Sequence, residues 1–158
     1  MKRTLLIALL AASGLLLRAT PASADITFFV GAGNTPEWRG VRGVAAGVSM
    51  LIVGFEFDYG RSSENVPEHL PGLQTGMFNI LVQTPTNTSV YVTAGGGAFR
   101  ETLGPAHVTN FGTNFGGGIK IHVAGPIHVR VDYRIFALRG NPIYNKPQRL
   151  YVGVNWPF

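Results

Sequence analysis

The 158-residue chain has no cysteine. That excludes disulfide staples and a lipid anchor carried on an N-terminal cysteine thiol. A long hydrophobic run is missing as well. The apolar stretch Leu5–Leu17 is shorter than the roughly 20 residues a membrane-spanning helix needs, and Arg18 ends it. With the basic start Lys2-Arg3 and the small residues Ala22-Ser23-Ala24, residues 1–24 instead read as a secretory signal peptide. The basic excess disappears with it. Three of the 13 Lys and Arg residues lie in that segment and none of the eight Asp and Glu, so the formal charge falls from +5 to +2. A nucleic-acid-binding role thereby loses its main support. Beyond Asp25 a helical period is also lacking.

What is present is alternation. Short period-two runs are separated by clusters of Gly, Pro, Asn, Thr and Ser, the signature of strands and turns. The pattern predicts one domain over 25–158, built from eight strands: 26–33, 41–50, 53–61, 75–84, 89–99, 111–123, 127–138 and 149–158. Connections after strands 2, 4 and 6 are short. Those after strands 1, 3, 5 and 7 ("NTPEWRG", "SSENVPEHLPGLQ", "ETLGPAHVTN", "RGNPIYNKPQ") are longer. Such an alternation belongs to transmembrane barrels, with short turns inside and longer loops outside. The weakest junction is "SMLIVG", which has no turn former at its centre.

The two faces of each strand decide what kind of barrel this is. In strand 7, Ile127, Val129, Val131, Tyr133, Ile135 and Ala137 share one face. His128, Arg130, Asp132, Arg134 and Phe136 share the other. Strand 3 sets Val53, Phe55, Phe57 and Tyr59 against Gly54, Glu56, Asp58 and Gly60. A ligand-holding secreted barrel would turn the apolar face inward. Glycines among the polar positions suit a crowded lumen better than a wetted exterior, and in lipid only a closed barrel pairs every strand backbone group. The expected fold is an all-β, eight-stranded antiparallel up-and-down transmembrane β-barrel. In strand 5 the facing stays open: Val90, Val92 and Ala94, or Tyr91 and Phe99, point to lipid.

The chain ends "LYVGVNWPF", with Leu150, Val152, Val154, Trp156 and Phe158 at every second position. On this tail and the strand pattern, the sequence resembles the small eight-stranded outer-membrane barrels of the OmpA/OmpX type. The resemblance implies a bacterial outer-membrane location reached through the periplasm. It also implies that the last strand is an assembly signal for the machinery that inserts such barrels, with lipid as the neighbour of its apolar face. Pro157, which donates no ladder bond, departs from the pattern. The larger relatives carry a peptidoglycan-binding domain after the barrel, and that activity is not among the expectations carried over to this chain.

Candidate sites follow from the same placement. Lys120 falls opposite Arg130, both inward, and like charges so placed repel. An acidic group is therefore expected between them. Glu56, with Asp58 above it, lies across the lumen at matching depth, and Asp132 is a diagonal neighbour. A lumenal network of Glu56, Asp58, Lys120, Arg130, Asp132 and Arg134 is expected, and the resemblance adds weight to it. His122 and His128 flank the Ala124-Gly125-Pro126 turn as half of a conceivable metal site, but spacing supplies no third ligand. His69 and His107, with Ser62, Ser63, Glu64 and Glu68, are the raw material of a hydrolytic triad without a recognisable motif around them. The glycine triplets Gly95–Gly97 and Gly116–Gly118 precede no helix and read as room for lumenal side chains rather than a phosphate loop.

No cofactor and no catalytic residue is expected. The expected role is that of a monomeric, non-enzymatic barrel that supports the envelope or presents its loops to an extracellular ligand. A lipid A-modifying hydrolase and a narrow pore are the alternatives. Eight strands leave an interior just wide enough for side chains, which weighs against the pore.

Overall fold

The computed structural model describes residues 22–158, so most of the predicted signal peptide lies outside the described residues. Eight antiparallel strands close into a barrel in chain order: β1 (Ser23–Asn34), β2 (Trp38–Met50), β3 (Val53–Ser62), β4 (Gly72–Gln83), β5 (Ser89–Leu103), β6 (Ala106–Ala124), β7 (Ile127–Leu138) and β8 (Gln148–Pro157). Closure runs from Asn34 opposite Gln148 down to Asp25 opposite Pro157. It continues one step further, where the Phe158 amide donates to the Ala24 carbonyl (2.8 Å) and the Ala24 amide to the Phe158 carbonyl (3.2 Å). Pro157 thus stands between two paired positions and leaves closure intact. Ser23 and Ala24, read from sequence as the end of the signal peptide, are the first residues of β1.

Alternation translates directly into two environments. Phe28, Val30, Phe57, Phe78, Phe115 and Val152 are each at least half exposed, on an outward face with no protein above it. A continuous apolar belt of this size is incompatible with water and is the lipid-facing surface of the fold. Trp38 near one end and Trp156 near the other stand outward, where aromatic side chains border the belt. In β5, Val90 and Val92 face out while Tyr91 and Phe99 are buried in the lumen, which resolves the open facing. The junction between β2 and β3 closes at Met50 opposite Val53, with Leu51 at φ 43°.

The connections depart from the expected alternation. "ETLGPAHVTN" is not a loop but the tip of a long hairpin. β5 and β6 stay paired up to Leu103 opposite Ala106, and Gly104 at φ 58° turns the chain. Only Gly takes that conformation without steric cost. "NTPEWRG" shrinks likewise to residues 35–37, because β1 and β2 pair up to Asn34 and Trp38. Long outer connections remain after β3 (63–71) and β7 (139–147).

Both are tied down. Arg39 donates to the Ser63 carbonyl (2.6 Å), to the Thr35 hydroxyl (2.6 Å) and to the Pro71 carbonyl, so one guanidinium joins the first connection to both ends of the second. The Glu64 carboxylate accepts from the Gly104 amide (2.7 Å), and Glu101 accepts from the Ile143 amide (2.8 Å). Burial raises the Glu101 carboxyl above the usual range, and the backbone bonds it accepts oppose that rise.

Candidate functional site

The lumen is layered. Toward the outer end Leu73 and Met77 of β4, Phe99 of β5 and Phe136 and Leu138 of β7 form a buried apolar cluster. Beneath it lies an ionic cluster of three guanidiniums and three carboxylates. Arg130 of β7 crosses the barrel to Glu56 of β3 with both terminal nitrogens, one at 3.1 Å and one closer. Arg134, two inward positions further along β7, donates to the same Glu56 at 2.7 Å and through Nε to Asp132 at 2.9 Å. Arg130 also reaches Asp132 (3.1 Å). Asp58 takes a guanidinium nitrogen of Arg149 on both oxygens at 2.8 Å and lies 3.7 Å from Arg134. Arg130, Arg134, Asp58 and Asp132 are wholly buried and Glu56 nearly so.

Alternating charges make this burial tolerable. Isolated buried ions cost several kcal/mol each, on the order of what close pairing can return. Each carboxylate here contacts at least one guanidinium, and the six formal charges cancel. Aromatic groups complete the seat. Tyr91 donates its hydroxyl to Asp132 and accepts from Arg130 Nε at 2.7 Å. The Arg149 guanidinium lies 5.0 Å from the Phe29 ring centre and 5.1 Å from that of Phe136, within cation–π range.

Lys120 departs from the expected network. It sits opposite Arg130 in register, but its ammonium turns toward the end of the barrel that holds the chain termini and pairs with Asp25 at 2.7 Å. A long flexible stem lets it leave the like charge behind. Asp132 therefore serves the two arginines of its own strand rather than Lys120. Arg149, Tyr91 and Asp25 were not among the expected members, yet each belongs to a lumenal ion pair or its seat.

Glycine makes room for this cluster. A Cβ at Gly118 would stand 2.5 Å from the Tyr91 hydroxyl oxygen and press on the Val131 carbonyl. Gly118→Ala should therefore displace Tyr91 from Asp132 and Arg130, at a cost of about 1–3 kcal/mol for overpacking. Urea unfolding of the refolded barrel would measure it, and an unchanged midpoint would show that Tyr91 yields its place freely.

Several of the remaining candidates are committed to structural contacts. His122 and His128 meet across the β6–β7 hairpin, ring centres 5.3 Å apart, and hydrogen-bond to the carbonyls of Gly125 (2.9 Å) and Pro126 (3.2 Å). The buried Ser62 hydroxyl accepts from the Leu73 amide (3.2 Å) and Glu68 accepts from Asn65 (2.5 Å). His107 lies on the β5–β6 hairpin opposite Thr102, and His69 lies in the 63–71 connection. The lumenal voids beside Arg149 and beside Lys120 hold about 20 and 10 Å³, close to the room one water needs.

A closed eight-stranded barrel with an apolar outside and a charged, filled inside has the fold of the small outer-membrane barrels. Solved structures agree. The N-terminal β-barrel domain of Pseudomonas aeruginosa OprF superposes with a TM-score of 0.67 at 17% identity, over 86% of this chain and 97% of that one. Neisserial surface protein A matches with a TM-score of 0.64 at 17% identity, over 87% and 96%. Ail, the attachment invasion locus protein of Yersinia pestis, was solved in complex with the heparin analogue sucrose octasulfate. It matches at 0.54 and 11% identity, over 87% and 97%. No protein-family model matches the sequence, and no curated protein does.

Proposed function

We propose that the protein is a monomeric, non-enzymatic integral barrel of the bacterial outer membrane. In this reading it is exported through the periplasm after loss of residues 1–24 and inserted by the barrel-assembly machinery through β8. Its work is to reinforce the envelope and to present the 63–71 and 139–147 connections to an extracellular ligand. The observation that carries this reading is the lumen. It holds a buried apolar cluster and beneath it a neutral ionic one, which favours a rigid post over a conduit. The neighbours' fold agrees with the location, and the Ail complex is a precedent for a barrel of this shape holding a ligand.

A hydrolase is less well supported. The Ser62 hydroxyl is spent on the backbone of Leu73, and Glu64 on Gly104. A deletion strain separates the roles. Loss of envelope integrity or of surface attachment, with an unchanged lipid A mass profile, is the expected result. A lipid A species that appears or vanishes with the gene would replace this reading by the enzymatic one. Stepwise conductance of the purified protein in planar bilayers would replace it by the pore.

A further inference from the structure

The lipid-facing belt contains an anomaly in charge. Register places Arg42 of β2 directly opposite Arg61 of β3, and both side chains point out of the barrel. Like charges so placed repel across a sheet. Among the described residues neither guanidinium has a carboxylate within ion-pairing distance. Every buried arginine of the lumen, by contrast, has one. The depth of the pair is informative. Arg61 stands eight residues above Val53 at the β2–β3 turn, which at about 3.3 Å per residue and a tilt near 40° is roughly 20 Å along the barrel axis. With an apolar band about 25 Å tall, the pair lies near its outer edge, at the end opposite the chain termini.

Directly alongside lies a groove of about 620 Å³ in the outer wall, within the roughly 300–1,000 Å³ span of ligand sites. Phe28, Val30, Val44, Tyr59, Val152 and Val154 line it, together with Arg42 and Arg61. The register orders these residues by height. Val30, Arg42 and Arg61 form the outer row, and Phe28, Val44 and Tyr59 the row beneath. The groove is thus apolar along its length and doubly cationic at its outer end. An acyl chain fits the first property. A phosphate fits the second, because guanidiniums grip its oxygens with paired, charge-assisted hydrogen bonds.

We propose that Arg42 and Arg61 clamp a phosphate of lipid A in the outer leaflet, with one of its acyl chains lying in the groove over Phe28 and Val30. The anion between them converts a repulsive cross-strand pair into a bridged one. This site rests on the outer-membrane reading above and adds to it a specific lipid, held at a defined place on β1–β3 and β8.

The test uses the full-length mature barrel, refolded in detergent and transferred to the gas phase with bisphosphorylated lipid A, dephosphorylated lipid A or inorganic phosphate. Wild type should retain one bisphosphorylated lipid. Retention should fall about tenfold or more in the Arg42→Gln/Arg61→Gln variant, and equally for the dephosphorylated lipid, as loss of charge-assisted bonds predicts. Val152→Trp, which fills the groove from the outside, should also lower it, and inorganic phosphate should not displace the lipid. Should the double Gln variant fail to fold, Arg42→Lys/Arg61→Lys keeps the charge but not the bidentate grip, and it should retain less lipid than wild type. Equal retention by wild type and variants, or full displacement by inorganic phosphate, overturns the proposal. Folding is read separately, by the gel shift on boiling. A wild-type protein that never forms a heat-modifiable barrel in lipid sinks the membrane reading itself. One that folds but ignores the phosphate sinks only the clamp.

Discussion

Glu56→Gln should destabilise the barrel by about 3–5 kcal/mol, the usual penalty for removing one partner of a buried ion pair. Arg130 and Arg134 both lean on this carboxylate. Without it, three guanidiniums would face only Asp58 and Asp132. Arg130→Met should cost a similar amount by the opposite imbalance. The double variant is the informative one. It leaves Arg134 and Arg149 with Asp58 and Asp132, all four still connected at 2.8–3.7 Å, and restores neutrality. Its cost should therefore be well below the sum of the two singles, with a coupling above about 0.5 kcal/mol. Tryptophan fluorescence during urea unfolding in vesicles reads this directly, since Trp38 and Trp156 report from the two rims. Additive losses would mean that each charge is separately solvated and that the cluster is not a unit.

That prediction was reachable from sequence because a barrel makes long-range geometry periodic. Eight strands in chain order put β3 across from β7, and counting residues from each turn matches Glu56 to Arg130 in depth. The faces were equally legible wherever large apolar groups alternate with charges, as in β3 and β7. Where both faces carry apolar or aromatic groups, as in β5 with Tyr91 beside Val90 and Val92, alternation has no contrast to offer. Only the closed register shows which side Tyr91 takes, and with it a hydroxyl that bridges Arg130 and Asp132.

Arg149 was legible as polar but not as a participant. It is the first inward residue of the terminal strand, and its role depends on meeting Asp58 of β3 across the lumen, with its guanidinium held between Phe29 and Phe136 of the two strands that flank β8. Lys120 illustrates the converse limit. Register placed its Cα beside Arg130, yet a lysine stem spans enough distance to choose a different partner, here Asp25 at the strand that closes the barrel. Turn chemistry misled at the outer end. Gly, Pro and Asn in "ETLGPAHVTN" and "NTPEWRG" signal turns, but they give no length for the strands around them. β5 and β6 continue pairing past the lipid belt because nothing in Arg100–Thr102 or His107–Asn110 opposes it.

Deleting Phe158 should lower the amount of folded barrel in cells severely while changing its stability in the test tube little. The structure separates the two effects. Phe158 is 76% exposed and packs its ring outward, so the protein itself gains little from it. Its loss forfeits lipid contact of about 2 kcal/mol at most, together with the two backbone bonds to Ala24. Those bonds lie at the end of the β1–β8 seam, which is held along its length from Asp25 to Asn34, and processing after Ala24 would remove them in any case. Refolding of the truncated chain into detergent should therefore proceed nearly as for wild type. In cells, the C-terminal row Leu150, Val152, Val154, Trp156 and Phe158 is proposed to be the assembly signal, and there the last aromatic side chain carries recognition rather than stability. Heat-modifiable protein in outer-membrane fractions, compared with refolding yield in vitro, measures both arms. A shortfall of the same size in each would assign Phe158 to barrel closure. Equal folded protein in cells with and without it would remove the assembly signal from the end of this strand.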